Sequence, residues 1–225
     1  MRLDAVSAPL VAAAPAAAPS RRRKGPHPWL APGVVAGALA PLVSIALRAA
    51  RGELGADPIA QALNELGLVA LILLTASLAC TPAKSLFGWT WPIRLRRILG
   101  LLAASYATLH VLTYAVLDQG LDLSAIVDDV VERKFILAGA ATFVMLVPLA
   151  LTSTNAAVRR LGFARWKRLH RLAYLAGVVG ALHFIWRVKK DLREPAVYAV
   201  VIGALLLARL ATQIPTRLGR GRVAD

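Results

Sequence analysis

Read from its N-terminus, the chain alternates between long apolar runs and short stretches that hold nearly all of its charge. Six runs stand out: Leu30–Leu47, Ile59–Cys80, Ile98–Leu117, Phe135–Thr152, Leu169–Trp186 and Ala196–Ala211. Each approaches the ~20 residues that a helix needs to cross ~30 Å of hydrocarbon. Pro41 and Pro148 fall inside runs, where a membrane helix tolerates a proline and bends around it. The expected fold is an all-α integral membrane protein, a six-transmembrane-helix bundle over residues 29–212. Residues 1–28, Ala/Pro-rich and ending in Arg21-Arg22-Arg23-Lys24, read as a disordered tail and not as a cleaved signal peptide, because no charged segment precedes an uninterrupted apolar core. Residues 213–225 form a second, short tail.

Composition agrees with the pattern. Of 225 residues 58% are hydrophobic and 17% charged, and the mean hydropathy is +0.62, too little polar surface for a soluble domain. The net charge of +15 does not point to nucleic acid, because the basic residues sit at the ends of apolar runs instead of along one amphipathic face. With the N-terminus inside, the inner segments hold 19 of the 27 Lys and Arg residues. One outer loop carries Asp118, Asp122, Asp128, Asp129 and Glu132. Both termini are therefore expected in the cytoplasm of a bacterial-type inner membrane. Trp29, Trp89, Trp91, Trp166 and Trp186 lie at or beside span ends, at the headgroup level that suits their rings. The single cysteine, Cys80, excludes an internal disulfide, and it excludes an iron–sulfur or zinc site built from this chain's cysteines alone. A buried, inert thiol is the expectation.

The histidines carry the chemistry. His27 sits in the polar tail and is given no function. His110, His170 and His183 lie within or at the edge of apolar runs, where an ionisable side chain is expensive and marks a functional site by default. His110 follows Arg97 by 13 residues, roughly 20 Å along a helix that starts at the inner face. His183 follows His170 by the same interval on a span that also starts inside. His110 and His183 are thus expected at one outer level, with His170 near the inner surface. Two neutral imidazoles facing each other across a bundle are what a six-coordinate b-type haem requires. The competing reading has histidines bonded to carbonyls or lining a proton path. Gly177 and Gly180 are placed to let a flat macrocycle approach the backbone. Tyr106 and Tyr114 flank His110 at i−4 and i+4, positioned to pack on the ring or bond a propionate, or simply to pack between helices. Thirteen residues leave His170 and His183 about 140° apart on an ideal helix, so either that helix is distorted or the two address different neighbours. One haem and two haems both remain open, because no second histidine accompanies His170. The inner face carries a dense basic rim; most of it is topogenic. Arg97, Arg160 and Lys167 are its candidates for holding haem propionates, a flavin phosphate or anionic lipid.

Three stretches carry a resemblance: Arg97-Ile98-Leu99-Gly100-Leu101 through Tyr106 to His110 and Tyr114; Leu146-Val147-Pro148-Leu149-Ala150-Leu151-Thr152-Ser153 with Arg159-Arg160-Leu161-Gly162; and Trp166-Lys167-Arg168-Leu169-His170-Arg171-Leu172-Ala173-Tyr174 on to His183, Trp186 and Lys189. Over about residues 30–211 the chain resembles the MsrQ (YedZ) family of haem-binding membrane subunits, within the ferric-reductase-like transmembrane group. It departs in its long N-terminal tail and at Arg133-Lys134-Phe135, where that family usually shows a Lys-Arg-Pro-Tyr run. The resemblance implies haem b, FMN, and electrons drawn from the quinone pool or a cytoplasmic flavin reductase. It also implies delivery to a periplasmic molybdopterin-containing reductase subunit (MsrP) that repairs methionine sulfoxide in oxidised proteins.

There is no Gly-rich nucleotide fingerprint after a strand, and no length for a flavin or nicotinamide domain. An electron carrier without hydride chemistry of its own must borrow both donor and acceptor. Three functions are carried forward: an electron-transfer subunit serving a separate reductase, a stand-alone membrane ferric or cupric reductase, and a non-redox proton-coupled transporter.

Overall fold

The structure, a computed structural model, describes residues 29–188 and 191–213. The tail expected at 1–28 with His27, residues 214–225, and Lys189 lie outside the described residues. The described chain is helical throughout: α1 (Leu30–Ala50), α2 (Pro58–Phe87), α3 (Trp91–Leu112), α4 (Leu123–Glu132), α5 (Lys134–Leu151), α6 (Asn155–Leu161), α7 (Phe163–Leu169), α8 (Leu172–Arg187) and α9 (Arg193–Gln213). Six spans are long and apolar enough to cross a membrane; α3 with its continuation to Asp118 makes the third, and α7 with α8 the fifth.

Local chemistry sets the ends. Asp57 caps α2 by accepting from the Ala60 amide at 2.9 Å, with Pro58 in the first turn. At the other end Gly88 takes the left-handed conformation (φ 71°) that closes the helix. α2 is longer than its apolar run, ending at Phe87, so the expected inner loop shrinks to residues 88–90. Three short helices were not expected, α4, α6 and α7, the last of which lengthens the fifth span at its start. α4 is capped by Asp122, whose carboxyl lies below its ordinary range because the Ser124 hydroxyl and the backbone amides of Ala125 and Ser124 donate to it. α6 is capped by Thr154, whose hydroxyl accepts from Ala157 N at 3.1 Å.

The fifth span is broken. At His170–Arg171 the ladder shortens to three-residue bonds, Arg171 N to Arg168 O and Tyr174 N to Arg171 O. The helix is broken at His170 and runs unbroken through Gly177 and Gly180, and the two histidines face different neighbours, His170 toward Thr152 and His183 toward His110.

Helix α2 is the most buried span and packs on α1, α3, α8 and α9. Contacts run α2–α3, α3–α5, α5–α8 and α8–α2, so these four helices form a ring with α3 and α8 on its diagonal. Hydroxyls at membrane depth return their protons to the helix backbone: Thr75 to Leu71 O at 2.7 Å, Thr142 to Ala138 O at 2.8 Å. Cys80 is buried and its thiol points to Ala76 O, as expected of an inert core thiol. Large apolar side chains such as Leu39, Val43, Val144, Val200 and Leu207 face outward, a surface suited to lipid.

Candidate functional site

Inside the four-helix ring lies a largely apolar cavity of about 480 Å³, within the usual ~300–1,000 Å³ of cofactor pockets. His110 enters it from α3 and His183 from α8, across the diagonal. Their ring centres are 6.2 Å apart and their planes stand at 82°. An iron bound to two imidazoles at about 2.0 Å, each ring centre about 1.15 Å beyond its nitrogen, separates the centres by roughly 6.3 Å. The observed gap is of the size that one metal ion between two imidazoles takes up.

Both rings are oriented the same way. His110 Nδ1 bonds to Leu63 O at 2.9 Å, and His183 Nδ1 bonds to Phe135 O at 2.6 Å. A carbonyl can only accept, so each Nδ1 carries the proton and each Nε2 keeps its lone pair. The carbonyl bonding foreseen by the competing reading is therefore the arrangement a metal-binding histidine needs. The two contacts are parallel in sequence as well: each carbonyl belongs to the preceding membrane span, 47 and 48 residues upstream.

Four residues beyond each carbonyl comes a glycine. A Cβ at Gly67 would stand 3.2 Å from His110 Nδ1 and Cε1, and one at Gly139 would stand 2.9 Å from His183 Nδ1. Each imidazole reaches its carbonyl by lying across a place where the neighbouring helix has no side chain. Sequence reasoning missed both, naming Gly177 and Gly180 instead. Gly180 does line the cavity beside Thr142, but Gly177 packs against Leu78.

The third span carries a π-helical segment at Thr113–Asp118, one of the widened turns that recur at functional sites. It brings Tyr114, Ala115 and Asp118 to the cavity mouth. The Tyr114 hydroxyl donates to Asp129 Oδ2 at 3.0 Å, and Asp129 pairs with Arg133 Nε at 3.1 Å. These bonds hold α4 over the opening, where Ile126 and Val130 close it. Arg133 and Arg187 also line the mouth, and neither was named as a site residue from sequence.

The remaining expected site residues lie elsewhere. Tyr106 is buried outside the cavity and donates its hydroxyl to Ala38 O on α1, so it ties two helices together. His170 does not line the cavity. Thr152 Oγ1 gives its proton to Pro148 O, so it accepts from His170 Nε2–H at 3.1 Å, and the ring lies 4.1 Å from that of Trp166. Any metal taken by His170 in this tautomer would have to use Nδ1. Arg97 donates to Asn155 Oδ1 at 3.1 Å, while Arg160 and Lys167 stand exposed on α6 and α7.

No group of three or more His, Cys, Asp or Glu gathers among the described residues. Two imidazoles are too few to hold a bare ion, yet they suffice for iron whose four equatorial positions a macrocycle already fills.

A diagonal pair of histidines inside a six-span bundle is matched by family: residues 63–181 fit the ferric reductase like transmembrane component family, and the chain belongs to it. Within that class it belongs to the MsrQ family. It is 53% identical over 199 residues to the protein-methionine-sulfoxide reductase heme-binding subunit MsrQ of Deinococcus radiodurans, spanning 88% of this chain and 97% of that one. The protein of the same name from Rhodospirillum rubrum is 50% identical over 80% of this chain and 86% of its own length. That from Ralstonia nicotianae is 45% identical over 77% and 81%. No solved structure matches the chain.

Proposed function

We propose that this chain is the haem-binding membrane subunit of a methionine sulfoxide reductase system. His110 and His183 would hold one b-type haem between them through their Nε2 atoms. The observation that carries the reading is the pair of free Nε2 atoms on rings 6.2 Å apart, each locked by a carbonyl on its other nitrogen. A haem bound there supplies one-electron storage. The residues do the rest. The carbonyls of Leu63 and Phe135 fix both tautomers and raise the basicity of each Nε2, and the apolar wall keeps the site dry, so these residues and their burial would set the potential of a haem held there.

The positive-inside distribution supports cytoplasmic termini, with the pair toward the outer face of an inner membrane. Electrons then enter at the basic end, from the quinone pool or a cytoplasmic flavin reductase, and pass the His170–Trp166 region. They leave at the mouth under α4 for a periplasmic molybdopterin reductase, MsrP, that repairs oxidised proteins. The donor-side FMN implied by family resemblance belongs to the basic rim of Arg97, Arg160 and Lys167, which anionic lipid also suits. This chain transfers electrons and performs no substrate chemistry itself.

The test is electron delivery in purified components. The lipid-reconstituted chain, reduced by quinol or by a flavin reductase, is expected to be reoxidised when the molybdopterin subunit and methionine sulfoxide are both supplied. Equal reoxidation by ferric citrate without that subunit supports a stand-alone ferric reductase instead.

A further inference from the structure

Two guanidinium groups stand at the mouth of the cavity, Arg187 from the end of α8 and Arg133 from the joint between α4 and α5. Arg187 follows His183 by four residues, so the two share a face of α8 and the cation stands about one turn closer to the helix end. It is half-buried, bonds to Asn64 Oδ1, and lies 5.7 Å from the ring centre of Phe184. Among the described residues no carboxylate comes within ion-pair distance of it. Glu194 acts on it only from beyond ion-pair distance, and a half-buried cation at a largely apolar wall gains from an anion that a ligand brings into contact. Arg133 pairs with Asp129 through Nε alone, which leaves its terminal nitrogens for another acceptor.

A porphyrin held between His110 and His183 carries two carboxylates on one edge. Turned inward, that edge would press them among Leu74 and Leu146, both buried and apolar. Turned toward the mouth, it brings them to the level of the two guanidiniums. We propose that Arg187 and Arg133 hold the propionate carboxylates of the haem, with Arg133 joining that edge to α4 through Asp129. The proposal rests on the haem reading above.

The test compares haem b with its dimethyl ester, in which the carboxylates are neutral. The full-length apo chain is titrated with each, the bis-imidazole absorption band being the readout of binding and of an intact site. The wild type is expected to prefer the diacid by roughly tenfold or more, the worth of charged hydrogen bonds. Arg187→Gln is expected to lose most of that preference while still binding the ester, Arg133→Gln to lose part of it, and Arg187→Lys to retain most. Unchanged discrimination in Arg187→Gln overturns the clamp, as does an equal loss of both porphyrins, which would make Arg187 a merely structural residue. Equal binding of both porphyrins by the wild type overturns the clamp and leaves the haem reading standing. A wild type that binds neither overturns both.

Discussion

Gly139 lies against the imidazole of His183 so closely that a Cβ in its place would stand 2.9 Å from Nδ1. Phe135, one turn earlier on the same helix, supplies the carbonyl that Nδ1 bonds. The glycine and the carbonyl act as one device, since the ring reaches the backbone only where no side chain covers it. Gly67 and Leu63 repeat it for His110.

Gly139→Ala should therefore displace the His183 ring and lower haem affinity about tenfold to a hundredfold, the range for a lost outer-shell support. Gly67→Ala, with its tightest contact at 3.2 Å, should cost less. Gly203→Ala, where a Cβ meets nothing within 4 Å, should be silent. Haem per polypeptide in purified protein measures all three.

The 82° between ring planes has a spectroscopic consequence. Perpendicular axial imidazoles bring two iron d orbitals close in energy, so the oxidised protein should give a strongly anisotropic low-spin resonance with a large low-field g value. Parallel planes would give a well-resolved rhombic spectrum. Low-temperature electron paramagnetic resonance distinguishes them, and Gly139→Ala should alter the signal of any haem it retains.

How much of this was legible in the sequence follows from what each feature depends on. Six apolar runs announce six spans because lipid makes no exception for buried segments, and every backbone polar group must be met within its own helix. His110 and His183 could be paired by counting residues from the basic ends, because helix rise turns sequence distance into depth. The angle of about 140° between His170 and His183 left their surroundings open, and they prove to face different neighbours. Gly67 and Gly139 were not legible, because a glycine's role there depends on which ring lies opposite. Arg133 and Arg187 fall among the few basic residues of the outer segments and carried no role in the sequence, and only the ring of helices shows that both line the cavity. α4 hid within an acidic loop, since Ile126 and Val130 matter only once the opening they cover exists.

His170 sits apart from the diagonal pair, with Nε2 bonded to Thr152 and its ring on Trp166. His170→Ala should leave the haem of the pair in place and slow its reduction from the basic end by about tenfold or more, a loss of oriented contact. Stopped-flow reduction in proteoliposomes reads the rate, and the absorption spectrum reads the haem. Loss of all haem with an intact fold would show instead that His170 is itself a ligand.

Topology can be read by single thiols, because Cys80 is buried and gives little background. Asp128 on α4 and Ala156 on α6 are both exposed, at opposite ends of the bundle. With cytoplasmic termini, Asp128→Cys should react with a membrane-impermeant maleimide on intact spheroplasts, and Ala156→Cys only after lysis. The reverse pattern would invert the electron path.

The most direct measurement is haem content in the purified full-length chain, expressed with ample haem supply, beside His110→Ala and His183→Ala. One b-type spectrum in the wild type, with the same band lost in each variant, is the predicted result. A colourless wild type, or a variant that keeps its full complement of that haem, would contradict the pairing of these two imidazoles on one iron.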